Sequence, residues 1–279
     1  MSRTRVKKFQ EYMKKENLDG FIINRHVSIL YLSDFTGGNH QEPDGVLVIT
    51  RRGADLLTDS RYWEQAKDEL KGVKLIPVKG ERIAALKDIK AFQGKNWKFG
   101  YEADYLTVDE RQRLQNSLPN ALLVPSLGVV EQFSQIKDRD EIKFIKKAAE
   151  IADTAFDRIL GYLKPGLREI EVAAELEYQM KMLGSQTPAF ETIVASGYRS
   201  ALPHGLASEK KIARGDFVTF DFGATYKDYV SDMTRTVVIG KASARQKKIY
   251  NIVLRNHGST SSSPPLKGLP YNVFLGRTF

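Results

Sequence analysis

Two short apolar runs joined by a turn, between Phe217 and Ile239, constrain this chain more than any other stretch. The first run alternates apolar and polar residues from Val218 onward, and the second is rich in Val and Thr; both patterns are typical of β-strands. Each run contains one acid, Asp221 in the first and Asp232 in the second. An ionised carboxylate that is buried without a partner is strongly destabilising, so such acids are normally paired or bind a metal.

The spacing of these two acids predicts where they meet. If the strands pair as a hairpin around Thr225–Asp228, then Asp221 and Asp232 face each other near its middle. Cross-strand neighbours have Cβ atoms roughly 4.5–5.5 Å apart, and two like charges that close require a cation between them. The sequence therefore predicts a metal site, and it leaves open a structural ion pair with Arg235 or Arg214.

Composition narrows the class of protein. Of the 279 residues, 42% are hydrophobic and 28% charged, which is ordinary for a globular protein. The absence of cysteine excludes disulfides and thiolate metal sites and fits a reducing compartment, so we expect the cytoplasm. No apolar run has the length of a membrane span or, near the start, of a signal peptide. The net charge of +9 is scattered among acids, so no nucleic-acid partner is expected.

The order of the patterns predicts two domains. Alternating strands and helices over residues 1–127 indicate a compact α/β domain with a mixed sheet, in which Asp59 or Ser60 caps a helix. Residues 128–137 are predicted to be a connector, and residues 138–254 a second domain that contains the hairpin and, after it, a helix from Ala242 to Leu254. The fold class is therefore α/β (α+β).

Two helices and a tail complete this outline. Apolar spacing predicts one helix from Asp140 to Leu163, which Pro165 and Gly166 end. A second helix is predicted from Leu167 to Leu183, with Ile170 among its buried residues. Residues 255–279 are rich in Ser, Gly and Pro and contain no acid, so we expect a disordered tail.

Several motifs together resemble one family, the metallopeptidases of pita-bread fold. These include Xaa-Pro aminopeptidases, Xaa-Pro dipeptidases (prolidases) and methionine aminopeptidases. The similar segments, in chain order, are Asp59-Ser60-Arg61-Tyr62, Ile136-Lys137 with Glu141-Ile142, Pro165-Gly166, Pro203-His204-Gly205, Asp221-Phe222-Gly223 and Tyr229 to Thr236. The first of them resembles the creatinase-like N-terminal domain of the aminopeptidase P branch, and the remainder resemble the catalytic domain.

The resemblance implies a site and a reaction. Asp221 and Asp232, eleven positions apart, would bind a pair of divalent metals, Mn, Co or Zn, and His204 would have a catalytic role in contact with the substrate. The implied reaction is hydrolysis of the bond between an N-terminal residue and proline, on peptides with proline at the second position. The main prediction is a Xaa-Pro aminopeptidase. A prolidase and a non-catalytic peptide- or protein-binding module are the alternatives, and a homodimer is left open.

One departure from the family limits this expectation. The family supplies three further ligands, a histidine and two glutamates, from the second half of its catalytic domain. No Asp or Glu follows Asp232, and His257 comes only 25 positions after it, too soon for the family pattern. We therefore expect residues 138–254 to be the first half of an incomplete pita-bread domain, with weakened metal binding and impaired peptidase activity.

Overall fold

The computed structural model describes residues 2–38, 44–89, 92, 96–256 and 272–274. The chain divides into two compact units, Met1–Ile136 and Lys137–Phe279. Both contain helices and sheets, which confirms the predicted α/β class. Within the described ranges, no helix is long and apolar enough to cross a membrane.

A six-stranded mixed sheet forms the centre of the first unit. Its elements in chain order are α1 (Ser2–Lys15), β1 (Gly20–Ile23), α2 (His26–Ser33), β2 (Gly45–Thr50), β3 (Ala54–Thr58), α3 (Trp63–Glu69), β4 (Lys74–Pro77), a 3-10 turn (Ala84–Asp88), β5 (Lys98–Glu102), α4 (Val108–Ser117), β6 (Leu122–Ser126) and α5 (Val129–Ser134). The strand order is β4-β3-β2-β1-β5-β6. The pairs β1/β5, β5/β6 and β3/β4 are parallel, and the other two are antiparallel.

The sheet of this unit is buried on both faces. On β1, Phe21 and Ile23 join one apolar cluster while Ile22 joins the other. Successive side chains of a strand point to opposite faces, so a strand covered on both sides is apolar without alternation. The segment that we predicted as a connector contributes to this unit, since α5 buries Val129 and Val130 in the first of these clusters.

The predicted helix cap at Asp59 or Ser60 is wrong, because α3 begins only at Trp63. The carboxylate of Asp59 instead binds arginines. Its Oδ1 accepts from Arg61 Nε at 2.9 Å, and its Oδ2 accepts from Arg82 Nη1 at 3.1 Å. Both are charge-assisted hydrogen bonds, so the carboxylate is satisfied without a helix N–H group.

The second unit combines two long helices with a four-stranded sheet. Its elements are α6 (Arg139–Tyr162), α7 (Glu169–Met182), β7 (Ile193–Ser196), a 3-10 turn (Gly197–Ala201), β8 (Phe217–Phe222), β9 (Thr225–Tyr226), β10 (Tyr229–Val230), β11 (Met233–Val238), α8 (Ala244–Asn256) and β12 (Asn272–Phe274). The sheet order is β12-β11-β8-β7, and β9 and β10 form a separate pair.

Strand β8 shows the alternation that the sequence predicts. Val218, Phe220 and Phe222 are fully buried, and the ring of Phe156 on α6 packs on both phenylalanines at centroid distances of 5.4 and 5.8 Å. This packing fixes which face of the strand points to the core. Asp221 therefore lies on the opposite face.

The first turn of α7 differs from the prediction. Ile170, expected in the core, is 41% exposed, whereas Glu169 is fully buried. Apolar spacing identified the rest of the buried face, which includes Ala173, Leu176 and Met180. The exchange arises because donors from a distant loop surround the Glu169 carboxylate, as described below.

The tail that we predicted to be disordered, residues 255–279, contains one short strand. Strand β12 pairs antiparallel with the Thr236–Val238 part of β11. This pairing covers part of an edge of the sheet with backbone hydrogen bonds. The other residues between 257 and 279 lie outside the described residues.

Candidate metal centre

The register of the β8/β11 hairpin differs from the sequence prediction. Thr234, and not Asp232, stands opposite Asp221. The loop consists of Lys227 and Asp228, whose φ angles are 49° and 64°, so both residues adopt the left-handed conformation of a tight two-residue turn. The predicted loop was centred one residue earlier, and this difference shifts the pairing by two residues.

A close backbone approach places Asp232 beside the first strand. A Cβ atom on Gly223 would lie 1.9 Å from the carbonyl oxygen of Ser231, so only glycine fits at this crossing. The side chain of Ser231 also bonds to backbone groups nearby. Its Oγ accepts from Ala224 N at 3.0 Å and donates to Ala148 O at 3.2 Å. The residue after Ser231 is thereby fixed close to the end of β8. This is the physical role of the glycine in the Asp-Phe-Gly motif.

The charge of Asp232 acts on the Asp221 carboxylate. Partial burial raises the pKa of Asp221, a hydrogen bond from Thr234 lowers it, and the charge of Asp232 raises it again. The Thr234 hydroxyl donates to Asp221 Oδ1 at 2.9 Å. Asp232 is exposed. Burial and a like charge both disfavour the ionised form of an acid. A nearby cation stabilises that form.

The structural ion pair that the sequence left open does not form. Arg235 binds Asp153, with Nη2 and Oδ1 3.2 Å apart, and its Nη1 donates to Thr234 O at 3.0 Å. Across the part of the chain that the structure describes, no ion pair joins Asp221 or Asp232 to a basic side chain. The carboxylates therefore keep the capacity to bind a metal ion.

His204 belongs to a loop that returns to the same end of the sheet. The loop follows the 3-10 turn Gly197–Ala201, and the side chain of His204 is exposed. Leu206, two residues later, forms a β-bridge with Ile193, and Ile193 pairs with Asp221 across β7 and β8. The fold thus brings the three residues that the resemblance singled out to one region of the second unit.

Glu169 was missed by the sequence analysis although it shapes this region. Its buried carboxylate accepts hydrogen bonds from both ends of the His204 loop, at Ser196 and Ser208. An acid in the first turn of a helix ordinarily interacts with the helix dipole, so its position gave no signal of this contact. The donors lie 27 and 39 residues away in sequence, and no local pattern marks them.

The residues present fit part of a metal centre. Carboxylate oxygens suit hard divalent ions, and the raised pKa of Asp221 matches a site whose charge a cation would balance. Within the described ranges, no group of three or more His, Cys, Asp or Glu side chains could hold a metal ion together. His257 lies outside the described residues. By themselves, Asp221 and Asp232 would therefore supply only part of a coordination shell.

Comparison with known proteins assigns the chain to a family. The Creatinase/Prolidase N-terminal domain matches residues 5–135, and Metallopeptidase family M24 matches residues 143–260. The chain is 40% identical to an Xaa-Pro dipeptidase of Pyrococcus horikoshii, over 90% of this chain and 68% of that protein.

Two solved structures are similar to both units. An Xaa-Pro dipeptidase from Bacillus anthracis superposes with a TM-score of 0.84 at 39% identity, covering 95% of this chain and 74% of that one. An X-Pro aminopeptidase from Thermotoga maritima gives a TM-score of 0.81 at 34% identity, covering 91% and 70%. The resemblance to the pita-bread metallopeptidases is confirmed: the chain belongs to metallopeptidase family M24 and carries the creatinase/prolidase N-terminal domain.

Proposed function

We propose that the catalytic unit is built to hydrolyse Xaa-Pro dipeptides, the prolidase reaction, with Asp221 and Asp232 as metal ligands. The observation that carries this proposal is the convergence of the two carboxylates with the His204 loop, through the pairing of Asp221 with Ile193 and the bridge from Ile193 to Leu206. Similar proteins are named Xaa-Pro dipeptidases. These names favour the dipeptidase over the Xaa-Pro aminopeptidase that the sequence favoured.

Each residue has a role in this proposal. A divalent metal pair of Mn, Co or Zn, held in part by Asp221 and Asp232, would activate water and polarise the scissile carbonyl. Asp221 and Asp232 supply oxygen ligands, and Thr234 holds the Asp221 carboxylate in one orientation through its hydrogen bond. The imidazole N–H of His204 donates to the substrate carbonyl oxygen as negative charge develops there.

The Xaa-Pro aminopeptidase reaction is the second candidate. It is favoured by the similarity to the Thermotoga maritima X-Pro aminopeptidase. The two candidates differ in substrate length, because a dipeptidase requires the free carboxylate of the proline residue. Comparison of the dipeptide Ala-Pro with the tripeptide Ala-Pro-Ala separates them.

We further propose that this chain by itself has impaired activity. Within the described residues, no third His, Cys, Asp or Glu joins Asp221 and Asp232 in a group that could hold a metal ion, so two carboxylates would leave most of the coordination of each metal to water. Release of alanine from Ala-Pro and from Ala-Pro-Ala, with added Mn²⁺ or Co²⁺, should stay near the background rate.

The same assay tests the site. Any rate above background is expected to be greater with Ala-Pro and to disappear in Asp221→Asn and in Asp232→Asn. A robust rate that Asp221→Asn abolishes would contradict the proposed impairment and require ligands from another chain. A rate that survives both substitutions would contradict the proposed metal ligands. We also propose a cytoplasmic setting, which the absence of cysteine supports.

A further inference from the structure

Glu169 is the most completely surrounded acid of the second unit. It is the first residue of α7, and its side chain is fully buried. Its Oε1 accepts a hydrogen bond from the backbone N of Ser196 at 2.7 Å and another from Ser196 Oγ at 2.8 Å. One carboxylate oxygen therefore holds the position where β7 ends and the His204 loop begins.

The other oxygen of Glu169 holds the far end of the same loop. Oε2 accepts from the backbone N of Ser208 at 3.2 Å, from Ser208 Oγ at 2.6 Å and from Arg199 Nε at 3.0 Å. The Arg199 guanidinium continues across the loop, since its Nη2 donates to Leu206 O at 2.6 Å. A single carboxylate thus joins both ends of the segment 196–208, and its arginine partner spans the interior.

These bonds keep the buried carboxylate ionised. Burial raises the pKa of Glu169. The hydrogen bonds from Ser208, Ser196 and Arg199 lower the pKa by more than burial raises it, so the pKa lies below its usual range. A buried carboxylate is retained only where its charge is compensated in this way. The donors of the loop therefore stabilise the charge of Glu169, and Glu169 in turn holds the loop.

A second connection fixes the beginning of the loop. Lys210 Nζ donates to Ser196 Oγ at 2.7 Å and to Asp216 Oδ2 at 2.9 Å. Gly197 packs directly on this group, because a Cβ there would lie 2.9 Å from Asp216 Oδ1. The exposed His204 side chain consequently stands on a loop whose two ends are anchored.

We infer that Glu169 is the positioning residue of the His204 loop and sets the location of the imidazole relative to Asp221. This role rests on the proposed function of His204, deepens it, and gives Glu169 no contact with the substrate. The carboxylate acts through Ser196, Ser208 and Arg199, which it orders simultaneously. Without it, the loop would retain its length but lose the bonds that define one conformation.

The test compares Glu169→Gln with a matched control, Glu175→Gln. Glu175 lies on the same helix, and its Oε1 accepts from Gln179 Nε2 within that helix. The primary measurement is the pair of ring C–H proton resonances of His204 in the metal-free protein. The sequence has four histidines, and His204→Gln identifies the signals. Hydrogen exchange of the segment 196–208 is the second measurement.

The inference predicts that Glu169→Gln moves the His204 resonances to those of an unstructured histidine. Exchange in the segment 196–208 should accelerate by about tenfold or more, with exchange in β11 unchanged. The control should change neither. Ser208→Ala, a milder variant that removes one donor, should shift the same signals in the same direction if Glu169→Gln fails to fold.

The inference is overturned if Glu169→Gln or Ser208→Ala lowers thermal stability while the His204 resonances and the loop exchange remain those of the wild type. That result would make Glu169 a structural residue of α7 alone. The readouts do not depend on catalysis, so this failure is distinct from that of the proposed function, which would appear as an Xaa-Pro hydrolysis rate above background that survives both Asp221→Asn and Asp232→Asn.

Discussion

Thr234 stands directly opposite Asp221 on the neighbouring strand and donates its hydroxyl hydrogen bond to Asp221 Oδ1 at 2.9 Å. A hydrogen bond to a ligating carboxylate fixes its orientation and tunes its affinity for the metal. We expect Thr234→Val, which keeps the side-chain shape, to weaken Mn²⁺ binding by about tenfold or more. The free Mn²⁺ signal in electron paramagnetic resonance measures this change.

Thr236→Val is the control for this prediction. Thr236 lies on the same strand and the same face, and its hydroxyl is 3.5 Å from that of Thr219. Its loss should leave Mn²⁺ affinity unchanged. Equal effects of the two substitutions would mean that the Thr234 hydroxyl does not orient Asp221.

Gly223→Ala tests the close approach that brings Asp232 beside the end of β8. The added methyl would meet Ser231 O at 1.9 Å and Ala189 Cβ at 2.9 Å, so the backbone has to move. Overpacking of this kind destabilises by about 1–3 kcal/mol, measured by urea unfolding. Gly161→Ala is the control, because nothing lies within 4 Å of its added Cβ, and alanine should stabilise helix α6 slightly. Equal stabilities of the two variants would contradict this packing.

Alternation and spacing predicted the strands of this centre. The register between β8 and β11 depended on the conformation of the turn that joins them. The pattern from Val218 to Phe222 placed the core face of β8 correctly. The facing residue was wrong because Lys227 and Asp228 adopt a positive φ without the Asn or Gly that usually marks such a turn. A shift of one residue in the loop moved the partner of Asp221 by two positions.

Buried acids were the least predictable residues. Glu102 and Glu169 both lie at the ends of regular elements, where an acid is ordinarily exposed. The donors of Glu102 come from residues 74 to 78 positions away, so only the tertiary fold brings them together. Sequence periodicity describes faces of helices and strands and carries no information on such contacts.

Glu102 should make stability depend on pH. Its buried carboxyl accepts from Asn24 N, Arg25 N and, at 2.5 Å, Ser28 Oγ. Burial raises its pKa from 4.5 to about 7, against these hydrogen bonds and with a contribution from Glu131. Between pH 4.5 and about pH 7, the folded state therefore binds more protons than the unfolded state.

The free energy of unfolding contributed by Glu102 is fully present below about pH 4.5 and is lost as the pH rises to about 7. The shift corresponds to on the order of 3 kcal/mol. Urea unfolding across this range should show the decrease, and Glu102→Gln, which imitates the neutral acid, should flatten the curve. An identical pH profile in that variant would show that another group titrates.

Tyr62→Phe tests the network around the Asp-Ser-Arg-Tyr motif. The Tyr62 hydroxyl donates to Asp44 Oδ2 at 2.6 Å, and Arg61 Nη2 binds Asp44 Oδ1 at 2.7 Å. Asp44 is buried, so loss of the hydroxyl leaves a carboxylate oxygen without its donor and should cost about 1.5–3 kcal/mol of stability. Urea unfolding measures the loss.

The control for Tyr62 is Tyr105→Phe. Among the described residues, no hydrogen bond to the Tyr105 hydroxyl occurs, so this variant should stay within about 0.5 kcal/mol of the wild type. If Tyr62→Phe loses no more stability than Tyr105→Phe, the hydrogen bond from Tyr62 to Asp44 does not stabilise the fold.

Mn²⁺ binding to the 279-residue chain tests the central claim, that Asp221 and Asp232 are paired metal ligands. Calorimetric titration should give weak, saturable binding to the wild type and to Asp228→Asn, a control in the turn of the same hairpin. Asp221→Asn and Asp232→Asn should each abolish that binding, because one carboxylate alone holds a divalent ion poorly. Equal Mn²⁺ binding by the wild type and by both aspartate variants would contradict the claim.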